Sequence, residues 1–273
     1  MHPVLIQLGP VTLMTHDAFT LLALAVGLAI YYRELRVRGW LDGTIVWISL
    51  GAIVGGAIGA RLITAWEHPE VYAALADRPF TEVIESSGKS ILGAIAGGYL
   101  AIALLKRWFG YGRSTGDAYL LAIPVATAIG RVGCFLSELP LGTPTSLPWG
   151  ITVSPEAAAA FARCPGCDVA MHPSMLYEIG FNLVAVALIL RYRDRVPVPG
   201  DGLKLYLLAA GIFRFLVEFV RGNEPQALGL TGPQWVLIPL VGLLVVHFVR
   251  QVRRDAYQLP PAPSAYVRAE AGP

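Results

Sequence analysis

The sequence predicts an all-α polytopic membrane protein of about seven transmembrane helices, with its N-terminus outside and its C-terminus cytoplasmic. Three observations carry that expectation. Of 273 residues, 55% are hydrophobic and only 15% are charged, whereas soluble chains carry about 25% charged residues. Apolar runs approaching the roughly 20 residues that cross a bilayer recur along the chain, and mean hydropathy is +0.58. Basic residues gather in alternate connections, the pattern that orients helices in a membrane. The net charge of +2 is small and scattered, which argues against nucleic acid as a partner.

The elements follow in order. The opening residues, MHPVLIQLGPVTLMTHD, lack a basic n-region and a clear cleavage site, so no cleavable signal peptide is expected. Span one covers about 13–32. His16 and Asp17 stand at its outer start, as entrance residues of a site or as plain interfacial ones. The connection YYRELRVRGWLDG brings Arg33, Arg36 and Arg38. Spans two (44–65) and three (91–108) are crowded with small residues, GAIVGGAIGA and GAIAGGYLAIA. Such residues let helix backbones approach closely in lipid, with ligand contact as the alternative role. Between them, Glu67 to Ser90 has only Arg78 and Lys89 against five acids.

Lys106, Arg107 and Arg113 follow span three, and span four covers 118–136. The connection from about 137 to 175 is the sizeable extracytoplasmic piece. Its start, LPLGTPTSLPWG, reads as turns, and SPEAAAAFAR as a short helical patch. Cys164 and Cys167 there suit a short disulfide in an oxidising compartment. A zinc half-site fits them less well, because suitably spaced partners are lacking, and no metal is expected. Span five (176–192) leads into Arg191, Arg193 and Arg195. Spans six (203–221) and seven (234–250) lead to Arg250, Arg253, Arg254 and Arg268. Residues 1–255 thus read as a single transmembrane domain, and 256–273 as a Pro/Ala-rich disordered cytoplasmic tail.

A second set of charges lies inside or at the edges of the spans. Arg61 and Arg131 fall near the outer ends of spans two and four. Glu178 opens span five, and Arg214, Glu218 and Arg221 occupy the outer half of span six. Ionisable groups in a span are costly unless paired or facing a wet cavity. Arg214 and Glu218, four apart, share a helix face and can satisfy each other as structural glue. The set as a whole holds more arginines than glutamates, and that excess calls for an anion. At the outer leaflet the abundant anion is a phospholipid phosphate, which suits the planar donor fork of arginine.

These residues lie in recognisable segments. GRVGCFLSELPLG resembles the signature of the bacterial prolipoprotein diacylglyceryl transferases, approximately G-R-x-G-N-F followed by a glycine. HPSMLYE resembles that family's H-P-S-Q-L-Y-E, and FRFLVEFVRGNEP its R-F-x-x-E-F-x-R. LGLTGPQW and GARLITAWEHP have counterparts before the last span and near the end of span two. The resemblance covers about residues 15–250 and implies a multi-pass enzyme of the bacterial inner membrane, with its site facing the outer leaflet. Its implied reaction moves a diacylglyceryl group from phosphatidylglycerol to the lipobox cysteine of a prolipoprotein. Its implied partners are that anionic phospholipid, the prolipoprotein signal peptide and the membrane, with no cofactor. By resemblance, Arg131, Arg214 and Glu218 are catalytic. Arg61, Gly133, Cys134, Gly142, His172, Tyr177, Glu178 and Arg221 contact substrate.

The chain also departs from that pattern. The family's third-span histidine, in a segment like S-x-H-G-G, has no counterpart in residues 88–98, where Leu92 stands near its place. Cys134 replaces the signature asparagine and Met175 the glutamine of HPSQLYE. The loop after the signature is altered, so Glu138 inherits no role. His172 caps its helix and binds headgroup, or else acts in acid–base chemistry. Cys134 is a small packing residue or a nucleophile. A divergent paralogue that binds lipid or signal peptide without transfer, or uses another acceptor, is the alternative function.

Overall fold

The computed structural model describes residues 4–8, 11–67, 73, 91–137, 142–152 and 169–257. Eight α-helices are found among them. These are α1 (Thr15–Val37), α2 (Gly43–Glu67), α3 (Ile91–Trp108), α4 (Gly116–Tyr119), α5 (Ala122–Leu136), α6 (Ser174–Tyr192), α7 (Asp201–Val217) and α8 (Gly232–Arg253). Five stretches are long and apolar enough to cross a membrane: Thr15–Val37, Gly43–Ala65, Gly116–Leu136, Ser174–Arg195 and Gly232–Arg253. The remaining two predicted spans coincide with α3, of 18 residues, and α7, of 17 residues. The fold is mostly helical, as an all-α membrane protein requires. Large apolar side chains such as Trp47, Leu62, Leu104, Val184 and Leu243 stand exposed on these helices, the arrangement that lipid rather than water favours.

One element was not expected. Val4–Leu8 (β1) and Val11–Met14 (β2) form an antiparallel pair, with Leu8 opposite Val11 and Gln7 opposite Thr12. The residues VLIQL and VTLM are β-branched or apolar in short runs, which suits a small ribbon. The hydropathy reading passes over such a pair because it is too short to span anything.

The chain divides into two compact units. One comprises Met1–Arg38 with Ser114–Pro273, and the other Gly39–Arg113. In the second, α2 packs along α3. Their glycines face each other so closely that a Cβ on Gly59 would run into the Gly93 carbonyl oxygen. A Cβ on Gly97 would meet that of Gly55. Backbone-to-backbone approach of this kind is what small-residue stripes permit.

In the first unit, α1 packs on α5, α5 on α6, and α7 on α8. Tyr31 stacks on Tyr119 at 4.3 Å between centroids, and Phe181 on Phe213 at 4.3 Å. Charges read from the sequence as orientation markers also hold elements together. Glu34 is 1% exposed and pairs with Arg38 at 3.3 Å and with Arg33 and Arg193 at 3.4 Å. The N–H groups at the start of α7 would lack helical acceptors. Asp117 takes two of them, from Gly200 at 2.6 Å and Leu203 at 3.4 Å. Asp201, fully buried, accepts from Lys204 and Tyr257, each at 2.7 Å, and contacts His247 at 2.9 Å.

The helical patch expected at 154–163, Cys164, Cys167, Glu138 and the tail from 258 onward lie outside the described residues.

Two predictions follow from this packing. Replacing Gly59 with Val should force the α2–α3 backbones apart and cost about 1–3 kcal/mol, as overpacking does, read as a lower midpoint of thermal unfolding in detergent. Burial pushes the Asp201 carboxyl up, but bonds from Lys204, Tyr257 and His247 outweigh it and hold it below the usual carboxylate range. Its contribution to stability is therefore present above that range and is lost as pH falls through the lowered value. Asp201→Asn should unfold at a lower temperature near neutrality, and its unfolding midpoint should fall less steeply on acidification than that of the wild type.

Candidate functional site

The site is built around two buried carboxylates in the first unit. Glu178 sits in the second turn of α6 and is 5% exposed; Glu218 opens the 3-10 turn Glu218–Val220 after α7 and is 2% exposed. Burying either one unpaired would be costly, so the donors around each determine whether it can stay.

Glu178 accepts from two guanidiniums. Arg131, on α5 and itself buried, donates its Nε to one carboxylate oxygen, and Arg221 donates Nη1 to the other at 2.8 Å. One carboxylate thus ties α5, α6 and the end of α7 together. Beneath it, Asn182 donates to the Glu178 carbonyl at 2.7 Å, and Tyr206 of α7 donates to Asn182 Oδ1 at 2.8 Å.

Glu218 is held separately. Arg214, one turn earlier, pairs with it through Nη1, so the expected mutual satisfaction of these two residues is observed. Asn223 donates to its other oxygen, and Thr231 adds a hydroxyl at 2.9 Å. Thr231 is the N-cap of α8, locked in a capping box with Gln234, whose amide also donates to the Phe215 carbonyl at 3.1 Å.

The carboxylates are thereby supplied with donors, but the guanidiniums outnumber the carboxylates they face. Arg131, Arg214 and Arg221 face Glu178 and Glu218, which leaves one positive charge over in this cluster. Arg221 lies close enough to Arg131 and Arg214 to be repelled by both. Its Nε is buried and has no hydrogen-bond partner among the described residues. A cluster with spare charge and spare N–H donors is suited to an oxyanion. Arg61 belongs to the other unit, where its Nη1 donates to the Ala57 carbonyl at 3.2 Å.

His172, Tyr177 and Gly142 also meet. Trp149 Nε1 donates to the Tyr177 hydroxyl at 2.8 Å, and the same hydroxyl is hydrogen-bonded to His172 Nδ1 at 3.0 Å. Gly142 and Thr143 thread between His172 and Val220. Gly142 N donates to the His172 carbonyl at 2.8 Å, and Thr143 N to the Val220 carbonyl at 2.8 Å. A side chain on Gly142 would collide with the Val220 oxygen and with His172, so only glycine fits. The loop is thus stitched to the turn that follows Glu218.

Gly133 and Cys134 lie where α5 meets the start of α1. A Cβ on Gly133 would strike Phe19, and Cys134, buried, lies 3.7 Å from His16 Nδ1 and 3.8 Å from Arg131 Nη1. Gly133 therefore acts in helix packing. Sequence reasoning did not single out Asn223, Thr231, Gln234, Asn182 or Trp149. The first three lie inside or beside the quoted segments FRFLVEFVRGNEP and LGLTGPQW, but uncharged polar residues give no warning in a hydropathy reading.

The paired network predicts a large cost for removing its hub. Glu178→Ala leaves two buried guanidiniums facing each other and should destabilise the protein by about 3–5 kcal/mol, the usual cost of breaking a buried pair. Thermal unfolding in detergent would show it.

Comparison with known proteins adds a separate line of support. The family model described as prolipoprotein diacylglyceryl transferase matches residues 3–250. The phosphatidylglycerol–prolipoprotein diacylglyceryl transferase of Leifsonia xyli subsp. xyli is 31% identical, over 93% of this chain and 79% of that protein. The enzyme of the same description from Bordetella avium is 31% identical, over 94% of this chain and 97% of its own length. A relative from Streptomyces coelicolor, described as the second such transferase, is 31% identical over 88% of this chain.

Proposed function

The chain belongs to the prolipoprotein diacylglyceryl transferase family, and we propose that it transfers a diacylglyceryl group from phosphatidylglycerol to the cysteine thiol of a prolipoprotein. The observation that supports this most is the cluster of Arg131, Arg214 and Arg221, whose positive charge exceeds that of Glu178 and Glu218.

In this reading the acceptor sulfur attacks the glyceryl carbon bonded to the phosphate oxygen. The C–S bond forms, the C–O bond breaks, and glycerol phosphate leaves with the electron pair. Negative charge gathers on the phosphate oxygens as it departs. Arg131 and Arg214, held in place by their glutamates, stabilise it without having to reorganise, an effect worth a few kcal/mol per donor. Glu218 fixes the orientation of Arg214, and Glu178 that of Arg131 and Arg221. His172 and Tyr177 contribute to headgroup binding, while Gly142 keeps their loop closed.

The setting we infer is the bacterial inner membrane. There the seven spans of residues 1–255 act as one domain, with the N-terminus outside, the C-terminus cytoplasmic, and the site opening to the outer leaflet. The alternation of basic connections supports this orientation. The signal peptide of the prolipoprotein, itself an apolar helix, would enter laterally from the lipid. The altered third span, without a histidine, favours a second reading in which lipid and signal peptide are bound without transfer.

One assay decides between the two: phosphatidylglycerol vesicles, a lipobox peptide and purified protein, followed by the mass of the peptide. The wild type should add one diacylglyceryl group per thiol. Arg131→Ala and Arg214→Ala should each lose at least about 100-fold in rate while remaining folded in the membrane. Folding should survive because Glu178 keeps Arg221, and Glu218 keeps Asn223 and Thr231. An unmodified peptide with wild-type protein would support binding without transfer, and full rates in both variants would remove the phosphate-clamp role.

A further inference from the structure

The transfer reaction needs a group that takes the proton of the acceptor thiol; arginine cannot take it, and His172 is engaged through Nδ1 with the Tyr177 hydroxyl. We propose that His16 is that base. The inference rests on the transfer reading above.

Its position follows from packing. Gly133 has no side chain, so Phe19 and the first turn of α1 settle directly on α5. That contact lays His16 over Cys134, with Nδ1 at 3.7 Å from the sulfur. Thr20 donates its hydroxyl to the His16 carbonyl at 2.8 Å, which fixes the turn. The same sulfur receives Arg131 Nη1 at 3.8 Å. The imidazole and the guanidinium that clamps the phosphate therefore share one neighbour, the Cys134 sulfur.

The surroundings suit proton removal. In the tautomer that donates from Nδ1 to the sulfur, the Nε2 lone pair is the one available to an incoming group. Cys134 and Arg131 beneath it are buried, whereas His16 itself is exposed. Among the described residues, Cys134 of α5 lies against it, Arg131 lies against that same sulfur, and Asp17 follows it in the chain; β1 and the described side chains of β2 carry no ionisable group. Imidazole is the side chain best matched to proton transfer near neutral pH. Cys134, where the resembled signature has asparagine, becomes a positioning residue that fixes the ring.

The step balances. The acceptor thiol gives its proton to His16 Nε2, and the resulting thiolate attacks the glyceryl carbon. The C–O bond to phosphate breaks, and the imidazolium passes its proton to the departing phosphate or to water.

The test compares wild type and His16→Ala by peptide mass across pH 6.5–9.5, with phosphatidylglycerol retention measured alongside. The variant should lose about 100-fold or more at pH 7. The deficit should shrink towards pH 9.5, as a thiol of ordinary pKa near 8.5 ionises unaided, and added imidazole should restore part of the rate at pH 7. Phosphatidylglycerol retention should be unchanged. A variant with the wild-type rate and profile, or one with an equal deficit at every pH and no rescue, overturns the assignment. If the wild type transfers nothing, the transfer reading fails and this inference falls with it; failure of His16 alone leaves wild-type transfer intact.

Discussion

The carboxylate of Glu178 is the constraint on which the rest of the site depends. A buried carboxylate must be paired, and this one is paired twice, by Arg131 from α5 and by Arg221 from beyond α7. Three elements that are distant in sequence are therefore brought to one point by an electrostatic requirement. Apolar side chains in lipid give helices little reason to choose one neighbour over another, because lipid tails are as apolar as leucine. Polar and close-packing contacts make that choice. Here Glu178 makes it for α5, α6 and the turn after α7, and Asn182 with Tyr206 extends the same contact.

The second carboxylate is tethered differently, and the difference bears on function. Glu218 takes Asn223 and the Thr231 hydroxyl in addition to Arg214, so its charge is spread over neutral donors. Arg214 consequently needs to commit only part of its donor fork to the protein. Arg221, with Nε lacking a partner, is in a similar state. A protein built only for stability would do better with apolar residues at such positions, since buried ion pairs seldom repay their desolvation. Retaining three arginines against two glutamates makes sense for a site that takes up an anion, and the phosphate of a phospholipid is the anion nearest to hand. Close packing at Gly133 also brings His16 against the Cys134 sulfur that Arg131 contacts, so the proposed phosphate clamp and the proposed base meet at one residue.

Much of this was legible in the sequence because membrane helices announce themselves by length and hydropathy. The start and end of α2, α5 and α6 fall within a few residues of the predicted spans. Arg131, Arg214, Glu178 and Glu218 stood out because charge inside an apolar run is expensive. Partner choice was harder to read. The i,i+4 pair of Arg214 and Glu218 could be seen from spacing, but Arg131–Glu178 and Arg221–Glu178 join residues 47 and 43 apart, and helix periodicity says nothing about such pairs. The ribbon Val4–Met14 escaped because hydropathy windows tuned to bilayer thickness average it away. Arg33, Arg38 and Arg193 were read only as topological signals, whereas they also neutralise Glu34. Asn223 and Thr231 escaped because their importance exists only once Glu218 is buried beside them.

If the surplus positive charge of Arg131, Arg214 and Arg221 holds a lipid phosphate, binding must depend on the headgroup. Native mass spectrometry of the intact protein, offered phosphatidylglycerol and a diacylglycerol with the same acyl chains, tests it most directly, because the two lipids differ only in the phosphate headgroup. Phosphatidylglycerol should be retained, with diacylglycerol lost under the same activation energy. Equal retention of both would show that the acyl chains alone are recognised, and would contradict it.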